Sequence, residues 1–248
     1  MSNIKFDFSQ KHVVVTGGAR GIGLQITRQF LEAGARVSVW EFSADSIAAA
    51  RAELASFQDR LNFQQVDVSK MPSVEAAAES LAAPVDVLIN NAGITRDKSF
   101  GKMTTEDFEA VIDTNLNGVF HCTKALMPKF ADTAHKRIIS ISSVVALYGN
   151  FGQTNYVAAK AGVIGMTKTW ARELSRKGFT VNAVAPGFTM TPMVEAMPAE
   201  ARQQIEQKIP AGRFGKPQDI ANACLFLASQ EASYISGTVV SVDGALVV

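Results

Sequence analysis

The chain has 248 residues, 47% of them hydrophobic, with Lys+Arg 24 against Asp+Glu 23 for a formal net charge of +1. That length holds one large α/β domain or two small ones, and a charge so near zero gives no global field to draw the protein to nucleic acid or an anionic membrane. No apolar run reaches the roughly 18 residues of a membrane span, and the two cysteines, Cys122 and Cys224, lack the CxxC or CxxH setting of a metal site and suit a reducing cytoplasm. The opening MSNIKFDFSQKH has no basic segment followed by an apolar core, so no leader peptide is expected. No low-complexity linker divides the chain, and no repeat of about 20–50 residues runs through it.

Short apolar runs alternate with longer helical patterns. HVVVTG (12–17) reads as a buried strand, and 23–34 as a helix with Gly34 as its stop. RVSVWE (36–41) is a second strand, followed by a helix over about 43–57. LNFQQVDV (61–68) is a third strand before a helix over about 72–83, and VDVLIN (85–90) a fourth. Residues 105–131 read as one long helix after the cap-like Thr104–Thr105. KRIISISSV (136–144) is strand five, 154–177 a second long helix, FTVNAVAP (179–186) strand six and GTVVSVDG (237–244) strand seven. Strands alternating with helices imply a parallel sheet covered on both faces. The expected fold is therefore α/β: a single doubly wound Rossmann domain over 1–248, its seven-stranded parallel sheet flanked by helices.

The first strand runs into TGGARGIG (16–23). Its Gly17, Gly18, Gly21 and Gly23 follow a GxxxGxG spacing. They meet the need of a strand-to-helix turn that brings backbone N–H groups and a helix N-terminus up to a pyrophosphate. Glu41 ends the second strand, 24 positions after Gly17. A carboxylate there accepts bonds from ribose hydroxyls and repels a 2′-phosphate, which favours NAD(H). Arg20 inside the turn pulls the other way, so NADP(H) is not excluded. Asp67, after strand three, either accepts from an adenine amino group or caps the next helix. Tyr156 and Lys160 are four apart, which on a helix stacks them on one face. Taken alone, the pair is equally an exposed helix pair.

Together, TGGARGIG, NNAG (90–93), the serine of ISSV (141–144), YVAAK (156–160) and APG (185–187) resemble the short-chain dehydrogenase/reductase family over nearly the whole chain. The resemblance implies a catalytic tetrad of Asn115, Ser143, Tyr156 and Lys160. Tyr156 is expected to exchange the proton, its pKa lowered by the Lys160 ammonium, and Lys160 to hold the cofactor ribose as well. Ser143 is expected to bind the substrate oxygen together with Tyr156, and Asn115 to secure a water. Around the glycine turn, Ile22, Val68, Ala92 and Gly93 are expected against the cofactor, and Asn90 to tie its loop to neighbouring strands. Pro186 and Gly187 are expected beside the nicotinamide, with Thr189 and Thr191 on its carboxamide. No metal is called for.

Within the family, NNAGITRD (90–97), GQTNYVAAKAGVIGMTK (152–168), VNAVAPGF (181–188), IPAGRFGKPQDIANACLFLAS (209–229) and YISG (234–237) resemble 3-oxoacyl-[acyl-carrier-protein] reductases. FGKMT (100–104) and FGQTNY (151–156) resemble acetoacetyl-CoA reductases at least as well. The expected substrate is an acyl thioester, and acyl carrier protein is one candidate partner. Of two basic positions for docking that acidic carrier, Lys177 keeps its charge and Ala134 does not. His135, Lys136 and Arg137 either compensate or complement a helix C-terminus. A segment at about 189–210, with Met190, Met193, Val194 and Met197, reads either as a lid over an acyl chain or as ordinary helix packing. The long helices and the apolar GALVV terminus point to a homotetramer. The other reading of the chain is a dehydrogenase of a free secondary alcohol.

Overall fold

The computed structural model describes residues 4–195 and 198–247. Seven strands form one parallel sheet: β1 (His12–Thr16), β2 (Arg36–Glu41), β3 (Leu61–Gln65), β4 (Val87–Asn90), β5 (Lys136–Ile141), β6 (Phe179–Pro186) and β7 (Val239–Val242). Their order is β3-β2-β1-β4-β5-β6-β7. The chain steps outward from β1 to β3, then returns to the other side of β1 for β4 onward. The carboxyl ends of β1 and β4 therefore flank the switch point, where an open α/β sheet leaves a crevice.

The apolar runs are continuous because both faces of the sheet are covered. Val13 and Val15 of β1, with Val87 and Ile89 of β4, pack against α1 (Gly21–Glu32), α2 (Ala44–Glu53) and α10 (Pro217–Ala228) through Ile26, Phe30, Leu54, Ile220 and Leu227. Val14 and Leu88 point to the opposite face. There they meet Val74 of α3 (Met71–Glu79) and Cys122 and Leu126 of α5 (Gly118–Leu126). Further along that face, Ile138 and Val181 pack on Ala171 and Leu174 of α7 (Thr154–Leu174).

The element preceding α5 differs from the expected single helix. α4 (Thr105–Ile112) starts with a capping box of Thr104 and Asp107, then gives way to a π turn at Asp113–Asn117 before α5. Asn115 sits in that turn, fully buried, and exchanges two hydrogen bonds with the backbone of Ile94. Those bonds tether the helix sideways to the loop after β4, and the extra residue of a π turn accommodates the pull. The short α6 (Val145–Tyr148) was not foreseen, nor were α8 (Pro192–Glu195) and α9 (Ala199–Glu206) as separate helices.

Two surface expectations need correction. Residues 136–137 begin β5 and follow no helix C-terminus. Arg137 is 1% exposed, its guanidinium directed to His135 Nδ1 and the Ser229 carbonyl, while Lys136 lies over the Phe179 ring at 5.2 Å. Lys177 is exposed in the turn after α7, and Gly178 beside it packs against Ala134.

Candidate active site

A cavity of about 700 Å³ opens at the switch point. Its floor is the glycine turn. Gly17 and Gly21 have φ of +61° and +53°, a left-handed backbone that glycine adopts without strain. At Gly23 a Cβ would lie 2.1 Å from the Gly17 carbonyl, so only glycine lets α1 start this close to the turn. α1 begins at Gly21 with no side-chain cap and no acidic residue in its first turn, which leaves its N–H groups and positive dipole end facing the cavity. Arg20, exposed, and Ile22 complete this wall.

Thr16 fastens the turn to the neighbouring strand. Its Oγ1 accepts from the N–H groups of Asn91 and Ala92, both at 3.0 Å. The Asn91 amide donates to the carbonyls of Thr16 and Gly17 at 3.0 and 2.9 Å. Neither Thr16 nor Asn91 was singled out from the sequence. The signal was present as the threonine heading TGG and the second asparagine of NNAG.

Glu41 lies in the far wall at 4% exposure. Its Oε1 accepts from the Ser43 N–H at 3.1 Å, and its Oε2 is buried with no partner. An unpaired buried carboxylate oxygen beside a glycine turn fits a ligand carrying vicinal hydroxyls, as the ribose of a dinucleotide does. Asp67 and Val68 line the next stretch. Asp67 does not cap α3, whose N-cap is Lys70; its Oδ1 accepts from Ser69 N–H and hydroxyl at 3.0 and 2.7 Å, and the residue lines the cavity. Ala92, Gly93 and Thr191 close the inner end.

Gly18, Asn90, Pro186, Gly187 and Thr189 lie outside the cavity wall. Gly18 faces the core, where a Cβ would meet Thr27 Oγ1 at 2.8 Å and Val39 at 3.0 Å, so its glycine serves packing. Asn90 is 2% exposed and donates to Thr123 Oγ1 at 3.1 Å, tying its strand to a helix away from the cavity. The Thr189 hydroxyl donates to the Gly187 carbonyl at 3.1 Å and is not in the cavity wall. The sequence reading also missed Trp40, Phe42, Lys70 and Ile94, at or beyond strand ends, and Thr114 in the π turn, all in the wall.

The tetrad adjoins the cavity through Gly93. A Cβ there would stand 3.2 Å from Asn115 Oδ1 and 3.6 Å from Lys160 Nζ, so the bare glycine keeps a passage to both. Lys160, 3% exposed, donates to the Ile141 carbonyl at 2.7 Å, and the Ser142 hydroxyl donates to the Lys160 carbonyl at 2.9 Å. These two bonds lock α7 to the end of β5. The Lys160 Nζ lies over the Tyr156 ring, 5.6 Å from its centroid. Ser143 follows β5, close enough to the Tyr156 phenol to act on its titration, and its hydroxyl accepts from the Val145 N–H at 3.4 Å. Asn155, fully buried, donates to the carbonyls of Arg96 and Asp107 at 3.0 and 3.1 Å and accepts from the Tyr156 N–H at 2.8 Å. Pro186 ends β6 alongside and Gly187 follows it; the Pro186 carbonyl accepts from Val144 N–H at 3.1 Å.

Electrostatically the pair departs from expectation. Burial pushes Tyr156 up to about 12, against the Ser143 hydroxyl and with the Asp97 carboxylate. Burial pulls Lys160 down to about 8. The lysine thus loses its proton before the phenol does. Its ammonium also addresses the ring face and the Ile141 carbonyl, which explains why it does not draw Tyr156 below its ordinary value.

A family model described as Enoyl-(Acyl carrier protein) reductase matches residues 17–246. The chain is 44% identical over 241 residues to 3-oxoacyl-[acyl-carrier-protein] reductase FabG of Thermotoga maritima, covering 96% of this chain and 98% of that protein. It is 42% identical over 240 residues to the enzyme of the same name from Chlamydia trachomatis, at 95% and 97% coverage. With the Staphylococcus aureus protein of that name it shares 43% over 240 residues, at 95% and 98%. Likeness of this extent, over a sheet whose switch point carries the glycine turn, leads to one assignment: the chain belongs to the short-chain dehydrogenase/reductase family, as an oxidoreductase served by a nicotinamide dinucleotide.

Proposed function

We propose that the protein reduces a 3-oxoacyl thioester to the 3-hydroxyacyl thioester, with Tyr156 as general acid. The observation that carries this reading is the Tyr156–Lys160 pair beside Ser143, with Lys160 Nζ reaching to Gly93 in the cavity wall. When bound, the dinucleotide supplies the hydride and, once oxidised, a positive charge. Ser143 orients the ketone oxygen. Tyr156 breaks its O–H bond as that oxygen gains its proton, and a phenol held near 12 is fully protonated at neutral pH and ready to give. Lys160, at about 8, exchanges protons readily and returns one to the phenolate. The Asn115 side chain is committed to Ile94, so its contribution to a water path falls to the backbone of the π turn.

Glu41 supports NAD(H) as the preferred coenzyme, since its unpaired Oε2 would meet a 2′-phosphate as a like charge. The segment 189–210 suits a lid. Its ends are pinned, at Met190 N–H to Gly215 carbonyl (2.7 Å) and at the buried Ile209, while α9 between them buries no residue. Of the methionines expected there, Met197 lies outside the described residues. An acyl group on acyl carrier protein or CoA, and a place in fatty-acid synthesis, accord with the names of the relatives. Among the described residues no helix is long and apolar enough to cross a membrane, and two buried free cysteines accord with a reducing cytoplasm.

Turnover of acetoacetyl-CoA with NADH or NADPH, followed by loss of the reduced nicotinamide absorbance, tests substrate class and coenzyme together. Tyr156→Phe should lower that rate about a hundred- to ten-thousand-fold with dinucleotide affinity retained. Glu41, as an NAD-type residue, favours one second reading, an NAD-linked dehydrogenase of a secondary alcohol. Oxidation of such an alcohol without thioester turnover would establish it.

A further inference from the structure

Past β7 the backbone reverses around one carboxylate. Asp243 Oδ1 accepts from the Ala245 N–H and Oδ2 from the Val247 N–H, both at 3.1 Å. Gly244 and Ala245 have φ of +66° and +67°. Left-handed backbone is strained for an alanine and persists only where its surroundings fix it. Here the Asp243 carboxylate does so, by binding the N–H of Ala245 itself.

The reversal is wedged between two stretches of backbone. On one side stands Gly187, whose N–H donates to the Val242 carbonyl at 3.0 Å. A Cβ on Gly187 would lie 2.8 Å from both Cα and Cβ of Asp243. On the other side, the Gly244 carbonyl accepts from the Ala211 N–H at 3.0 Å. A Cβ on Gly244 would lie 2.9 Å from Ala211 Cβ and 3.0 Å from Ile209 Cγ2. From Gly187 the contacts run on to the cavity. The Gly187 carbonyl accepts from the Thr189 hydroxyl at 3.1 Å, and the Phe188 carbonyl and Met190 N–H pair with the Gly215 backbone at 2.9 and 2.7 Å. Thr191 then enters the cavity wall, its Cγ2 3.9 Å from the place of a Gly21 Cβ at the start of α1. Glu41 and Asp67, elsewhere in the wall, take no part in this series of contacts.

We propose that Asp243 is a positioning residue. By folding 243–247 into a wedge between Gly187 and Ala211, its carboxylate fixes the segment 187–191. That segment holds Thr191 in the wall, against the part of the dinucleotide beyond its adenosine. The proposal rests on reading the cavity as the dinucleotide site and needs no particular acyl substrate.

NADH and 5′-AMP, which carries the adenosine half alone, separate this role from general support of the fold. In Asp243→Ala, calorimetry should show NADH binding weakened about fivefold and AMP binding unchanged. Asp243→Asn keeps one acceptor, should lie between Asp243→Ala and the parent, and carries the same comparison if the alanine variant does not fold. Hydrogen exchange should quicken at the Gly187 and Met190 amides, while those of Asn91 and Ala92, clamped on Thr16, stay as in the parent. NADH affinity or exchange at Gly187 and Met190 unmoved in the variants overturns the proposal. Equal loss of NADH and AMP also overturns it. A parent protein that fails to bind NADH removes the reading of the cavity, and the proposal with it. Absence of thioester turnover bears on the substrate alone.

Discussion

Burial acts on Tyr156 and Lys160 in opposite senses, and each is costly for a charged form. A lysine pulled from 10.5 to about 8 is an ionic group the folded chain holds against solvation. Above pH 10.5 it is neutral in both states and imposes no penalty. As pH falls towards 8 the unfolded chain takes the proton first, and below 8 the full penalty applies. Lys160→Met should therefore be more stable than the parent below pH 8, by on the order of 3 kcal/mol, with the advantage fading as pH approaches 10.5. Urea unfolding across that range checks it; catalysis should be lost in the same variant. Glu41→Ala should weaken NADH about ten- to a hundred-fold and narrow the preference over NADPH, as titration calorimetry would read. Unchanged preference would assign the choice to Arg20. Residues fixed by local backbone demands, such as Gly17 and Gly21, were legible in the sequence, because only glycine meets their dihedrals cheaply. Gly18, Asn90 and Thr189 were not, because a motif gives spacing and leaves open which way a side chain turns.

At the scale of elements, α7 carries Tyr156 and Lys160, the pair proposed to move the proton, and its first turn depends on Asn155. Asn155→Leu would leave the Arg96 and Asp107 carbonyls without these donors and the Tyr156 N–H without its acceptor. The expected loss is about 2 kcal/mol or more of unfolding free energy. Turnover should fall further than dinucleotide affinity, since Asn155 lies at the tyrosine and outside the cavity wall. Denaturation curves set beside calorimetry would separate the two effects. All seven strands were read to within a few residues: the central ones, buried on both faces, show as apolar runs, while the edge strands β3 and β7 are only partly buried and stand out by their place between helices. The π turn was invisible: it depends on Asn115 reaching Ile94, 21 residues away, and no local pattern encodes that bond.

Seen whole, the molecule leaves apolar surface uncovered on two sides. Phe108 and Phe120 are 37% and 47% exposed on α4 and α5, and α7 shows exposed Ala158, Ala161 and Gly165 on one face. On the far edge, β7 is only partly buried despite its Val-Val-Ser-Val sequence, and Tyr234 is fully exposed nearby. Two such surfaces support a homotetramer built from two kinds of twofold contact. Phe120→Asp should yield a smaller species in light scattering with an unchanged circular dichroism spectrum. A parent protein already monomeric would remove the assembly.

The strand order also sets a timetable for the nascent chain. β1 to β4, with Asn91 clamped on the glycine turn, come from the first third of the sequence. Ser142 finds its footing only when its N–H reaches the Val184 carbonyl, 42 residues later, as β6 is laid beside β5. Most of the cavity wall is thus early-made chain, and Ser143, Tyr156 and Lys160 follow later. Such long-range parallel pairing is slow. α1 packs on α10, residues 217–228, so the glycine turn gains its full support only once the last part of the chain is made.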